Sequence, residues 1–277
     1  MVARLRGRHR RVADRILVPV VPNAGTAAMY RRRVENLIDA MHKSIVWWIS
    51  ARWRSNPPVK RMAADELPAR SLMSELGRLE RRWKSRFDDV APSLAEYFAK
   101  RASQRVAGRL EEILREGGMT VEFKLTRAHA DAMAAIVDEN VALIKSIAEE
   151  HLAAVRGHVM RSVSQGRDLK DLVKALEEQF GVTRSRAELI ARDQNNKATA
   201  ALVKLRQQEA GIRKARWVHS GAGKHPRPEH VAFSQGRLGG PIYNVDKGAF
   251  LEGKWTWPGV EISCRCISRP IVDTSSG

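Results

Sequence analysis

Apolar residues recur near every 3.6 positions through most of the first 210 residues, and after Gly211 that repeat gives way to alternation. One kind of element cannot satisfy both periods. A helix puts i and i+4 on one face, whereas a strand puts i and i+2 there. The chain is therefore predicted as α+β: a mainly helical N-terminal part with a long helix, then a small C-terminal α+β domain with short strands. Residues 1–28 read as a basic, flexible N-terminal arm, broken by Pro19, Pro22 and Gly25; residues 29–160 read as the helical region and 161–277 as the C-terminal domain.

Within the helical part, Val34, Leu37, Ile38, Met41, Ile45 and Trp48 mark a helix over residues 29–53, ended by Asn56-Pro57-Pro58. Residues 61–116 read as mostly helical, interrupted at Pro68 and Pro92 and stopped by Gly117-Gly118. Residues 120–125 fit either a short strand or an extended link. From Thr126, the stripe Val137, Val141, Ile144, Ala148, Val155 and Val159 predicts a helix about 50 Å long at 1.5 Å per residue. Asp168 suits the N-cap of the next helix, Gly181 its C′ position, and Thr183 the cap of a further helix that ends at Gly211. Residues 214–219 alternate as a strand, with Ala215, Trp217 and His219 on one side.

Charge narrows the partners. Lys and Arg total 49 against 31 Asp and Glu, a net +18, which predicts attraction to polyanions and says nothing about fold. The excess starts at Arg4, Arg6, Arg8, Arg10, Arg11 and Arg15 and resumes at Arg31, Arg32 and Arg33. Such a block is either a solvated tail or an arm that neutralises phosphates. The apolar run over residues 16–21 is too short for a signal peptide core, and no stretch approaches the roughly 20 residues of a spanning helix. The chain thus reads as soluble and made in a cytoplasm. Two cysteines exclude a disulfide framework. No phosphate-binding loop, nucleophile elbow or dinucleotide fingerprint occurs.

Motifs concentrate near the C-terminus. Ala191-Arg192-Asp193-Gln194 opens a helical stretch that runs to Leu205-Arg206-Gln207. Trp217 follows on its strand, then Arg227-Pro228-Glu229-His230, then Pro258-Gly259 and Cys264-Arg265-Cys266 ahead of Arg269-Pro270. In this order they resemble the head-morphogenesis domain of phage Mu F-like proteins, over roughly residues 160–272. The motif positions carried over are Arg192, Asp193, Trp217, Arg227, His230, Cys264, Arg265 and Cys266. The resemblance implies a minor head protein of a tailed bacteriophage, located in the virion and assembled in the host cytoplasm. Its implied partners are the portal protein, the major capsid or scaffold protein, and double-stranded DNA; no membrane, small-molecule substrate or enzymatic activity is implied. Many family members carry an acidic residue in the loop after the Trp strand, where this chain has Gly221-Ala222-Gly223-Lys224, so no role of that acid carries over.

The histidines and cysteines leave two readings open. Cys264 and Cys266, placed on a terminal strand, would point to one face. With two of His219, His225 and His230 they would make a tetrahedral zinc site. Alternatively the thiols pack as small hydrophobes and no cofactor is bound. Arg227 and Arg265 are expected as donors that hold the loop against the final strand. Two other functions stay in view: a stand-alone, sequence-nonspecific nucleic-acid-binding protein, and a metal-dependent nuclease of ββα type, for which the strand lacks a paired His-His or Asp-His.

Overall fold

The computed structural model describes residues 14–57, 68–166, 168–221, 226–234 and 240–272. Its elements are β1 (Arg15–Ile16), α1 (Ala24–Ser55), α2 (Pro68–Glu116), α3 (Arg127–Ser164), α4 (Leu169–Glu209), β2 (Lys214–Val218), α5 (Pro228–Ser234), β3 (Ile242–Asn244), β4 (Ala249–Leu251), β5 (Lys254–Thr256) and β6 (Ile267–Val272). The fold is α+β, with long helices first and short antiparallel strands after. Two compact units divide the chain, and neither is continuous in sequence: one is Asn23–Ala102 with Asp131–Asn195, the other lies within Met1–Pro22, Ser103–Ala130 and Asn196–Gly277.

Among the described residues, the regular elements of the first unit are all helices. On α1 the residues Tyr30, Val34, Ile38, Met41, Ile45, Ile49 and Trp53 are buried at the three- and four-residue steps that keep one helix face inward. Each such side chain contributes about 1.5–3 kcal/mol by leaving water. Tyr30 stacks on Phe98 of α2 with ring centroids 4.6 Å apart. The helix begins five residues earlier than the apolar stripe predicts, because Asn23 caps it: its Oδ1 accepts the Thr26 N–H at 2.9 Å.

Two interruptions predicted from local rules are absent. Helix α2 runs through Pro92; Asp88 and Pro92 are both exposed, so the carbonyl that Pro92 leaves without a donor is on the solvent side. Helix α4 runs through Gly181 and Thr183. Thr183 is not a cap: its hydroxyl donates back to the Gln179 carbonyl at 3.0 Å and lies 2.8 Å from His151 Nδ1, the second contact buried within the bundle. Tertiary contact holds the helix across a glycine that costs about 1 kcal/mol.

The second unit carries the sheet. Strand order is β1-β6-β2-β3, all antiparallel, and β4 pairs with β5 in a separate hairpin. Part of the expected arm is therefore built in. Arg15 pairs with Val272 and Ile16 with Ile271, while Leu17 and Val20 are buried. Their apolar character explains it, since residues 16–21 supply an edge that a basic arm would not. Arg4, Arg6, Arg8, Arg10 and Arg11 lie outside the described residues.

The links of this unit follow their sequence signals. Helix α2 ends at Gly118, φ 89°, with Met119 N–H bonded to Leu114 O and Gly118 N–H to Arg115 O, the Schellman pattern. Gly211 ends α4 in the same way. Residues 120–125 form an irregular link rather than a strand. The buried Arg206 guanidinium fixes that link, donating to Lys124 O at 2.9 Å and to Glu209 at 2.6 Å. Thr126 then caps α3 by accepting the His129 N–H.

Candidate functional site

Strand β2 buries Ala215 and Trp217 on one side, and Trp217 has no exposed surface. Around it gather Tyr243, Val245, Ala249, Leu251, Cys264 and Cys266, with Phe233 and Trp257 at the margin. His230 of α5 meets the Trp217 ring edge-on at 5.3 Å. The sequence packs tightly here: a Cβ on Gly240 would sit 1.9 Å from the Trp217 carbonyl oxygen, so only glycine lets the chain entering β3 pass β2.

The two cysteines arrive by a turn, not on the strand. Strand β6 begins at Ile267, and the segment before it turns through Ser263 at φ 58°, with Cys264 N–H bonded to Glu261 O. Residues 264–266 then present both sulfurs to one imidazole nitrogen. His230 Nδ1 lies 3.5 Å from Cys264 Sγ and 3.7 Å from Cys266 Sγ, and all three donor atoms lie within 4.8 Å of one another. All three residues are buried. Asn196 of α4 supports the segment by donating to Cys264 O at 3.3 Å. Gly259, at φ 86°, closes it: a Cβ there would press to 3.0 Å from both Ala200 and the Cys266 carbonyl. That explains why glycine follows Pro258.

Electrostatically the sulfurs are unequal. Hydrogen bonding from the Cys266 thiol, then from His230, holds the Cys264 thiol below its ordinary range. The bond to Cys264 and burial push Cys266 up in turn. The two thiols therefore titrate as a coupled pair. His230 Nε2 and the Trp217 indole nitrogen have no hydrogen-bond partner among the described residues.

Other sites expected from sequence fall elsewhere. His219 lies beyond the end of β2, half-buried, with Nδ1 accepting the Gly221 N–H at 3.1 Å. It does not join the cluster, because the strand that would have carried it inward stops at Val218. His225 lies outside the described residues. Arg227 donates to the Ile262 carbonyl at 3.1 Å and pairs with Glu252 at 3.5 Å, so it fastens the start of α5 to the turn before Cys264. Arg265 is half-buried, Arg192 exposed and Asp193 buried.

Of the arginines expected to meet DNA, four are described. Arg15 sits in β1, exposed, while Arg31, Arg32 and Arg33 ride on α1. Arg31 pairs with Glu35 and Glu188, and Arg33 covers the Tyr97 ring at 4.0 Å. Arg32 is exposed. Among the described residues no carboxylate joins His230 and the cysteines.

Sequence reasoning missed the polar residues that tie the motif helix into the bundle. Asn140 and Gln194 are buried and joined at 3.0 Å, and Gln194 also donates to Glu139 at 2.8 Å. Their signal is two amides at positions where a helical stripe calls for apolar side chains.

A family model described as Phage Mu protein F like protein matches residues 153–269. An uncharacterized protein of Haemophilus influenzae strain Rd is 26% identical over 271 residues, which is 97% of this chain and 58% of that protein. The chain thus spans 58% of the length of the relative it matches. No solved structure matches it. The matched stretch starts within α3 and reaches β6, enclosing Trp217, His230 and both cysteines. Over residues 153–269, then, the chain is similar to the Phage Mu protein F like family.

Proposed function

We propose that this chain is a minor head-morphogenesis protein of a tailed bacteriophage, docked on the portal and touching the packaged DNA during head assembly. The family match over residues 153–269 carries the reading. Net charge supports the DNA contact, since +18 attracts phosphate. Helix α2 adds exposed arginines at 81, 82, 86, 101 and 105. The role is one of assembly rather than catalysis, as the likeness to a head-protein family suggests. Its other partners are the major capsid or scaffold protein, and its place is the virion. No helix among the described residues is long and apolar enough to cross a membrane.

Mass spectrometry of purified particles and proheads tests this. Peptides of the chain should appear at a few copies per head and cross-link to the portal. Particles without them overturn the reading. The charge alone also fits a stand-alone nucleic-acid-binding protein, and DNA binding without any association with heads would favour that one.

A further inference from the structure

We propose that His230, Cys264 and Cys266 bind one zinc ion. The argument starts from distance. Zinc takes thiolate sulfur at about 2.3 Å and imidazole nitrogen at about 2.0–2.1 Å in a tetrahedron, which sets neighbouring donors roughly 3.5–3.8 Å apart. His230 Nδ1 lies 3.5 and 3.7 Å from the two sulfurs. Both nitrogen–sulfur separations are those such an ion requires, and the two sulfurs lie within 4.8 Å of each other.

Hydrogen bonding serves this arrangement less well. Neutral imidazole offers one lone pair at Nδ1, directed at one donor, yet two sulfurs converge on it. An ion between them satisfies all three atoms at once. The donor set also selects the metal, since two sulfurs and one imidazole favour zinc over the oxygen-seeking magnesium and calcium. The surroundings hold the sulfurs in place: Asn196 donates to the Cys264 carbonyl at 3.3 Å, and Trp217 packs in the same core cluster as both cysteines. Three protein donors leave a fourth corner to water.

The ligands come from two separated pieces of chain. His230 belongs to the seven-residue α5, and the cysteines to the turn before β6. Bound zinc would clip the short helix to the sheet. This inference does not depend on a role in phage heads.

The test uses the full chain without a histidine tag. Chelator-treated protein is titrated with cobalt(II), then with zinc. One equivalent of cobalt should bind, giving a sulfur-to-cobalt charge-transfer band in the near ultraviolet that zinc abolishes. His230→Gln should weaken zinc binding by more than the roughly 10–100-fold that loss of a supporting hydrogen bond costs. Cys264→Ser with Cys266→Ser should abolish the band. If those variants fold poorly by circular dichroism, the wild-type titration decides alone. Folded wild-type protein that gives no such band, or binds cobalt with only the weak spectrum of oxygen ligands, overturns the proposal.

Discussion

His151 shows how one side chain writes pH into the bundle. It is fully buried, its Nδ1 lies 2.8 Å from Thr183 Oγ1, and its Nε2 has no partner among the described residues. Burial first, then the nearby His42, lowers its pKa to about 4; His42 itself lies 3.0 Å from Glu177. Between about pH 6.5 and 4 the unfolded chain binds a proton at this site and the folded chain does not, so stability falls as pH falls through that window. At about 1.4 kcal/mol per unit the loss reaches about 3 kcal/mol near pH 4. Urea melts of wild type and His151→Gln at pH 7 and pH 4.5 check this: the wild type should lose more stability between them, and equal losses refute it. Gly240 sets a steric prediction at the same scale. With a Cβ only 1.9 Å from the Trp217 carbonyl, Gly240→Ala should cost about 3 kcal/mol or more, seen as a lowered urea midpoint. An unchanged midpoint would mean that the β2–β3 approach is looser than described.

Helices obey their neighbours before their own sequence, and Pro92 makes the point testable. It sits inside α2 on an exposed face, so replacing it restores a backbone donor without disturbing the core. Pro92→Ala should stabilise the protein by about 1–3 kcal/mol, read as a raised melting temperature; a lower one would show that the helix needs its proline. The same physics separates what could be read from sequence from what could not. Gly118 and Gly211 were legible as helix ends because a left-handed residue is needed exactly where apolar periodicity stops. Pro92 and Gly181 were not legible as helix interiors, because the contacts that override them, such as Thr183 with His151, come from residues far along the chain. At the candidate site, the shared face of Cys264 and Cys266 followed from two-residue spacing, though a turn rather than a strand delivers it. His230 as their neighbour was one of three choices. Nothing local says that β2 stops before His219, or that Asn196 reaches Cys264.

For the molecule as a whole, charge and topology make separate demands. If the arginines of the first residues neutralise about five phosphates, the log–log salt dependence of DNA affinity should have a slope near −4 to −5, at about 0.9 per contact. Substituting Arg4, Arg6, Arg8, Arg10 and Arg11 by Gln should flatten it. A shorter change than deletion of residues 1–28 is required, because that deletion would remove β1 and the start of α1. An unchanged slope in the Gln variant places the DNA contact elsewhere. The pairing of β1 with β6 reaches further. Residue 15 meets residue 272, so closing the sheet demands one of the longest loops the chain can form. On a ribosome adding about 5–20 residues per second, the first strand waits roughly 10–50 s for its partner to be made. The helical unit, complete at Asn195, has all its residues earlier and should mature first. Stalled nascent chains should resist protease across residues 24–55 once residue 195 has cleared the exit tunnel. Around Leu17, resistance should come only after residue 272 has emerged; earlier protection there would mean that β1 finds shelter before its strand partner exists.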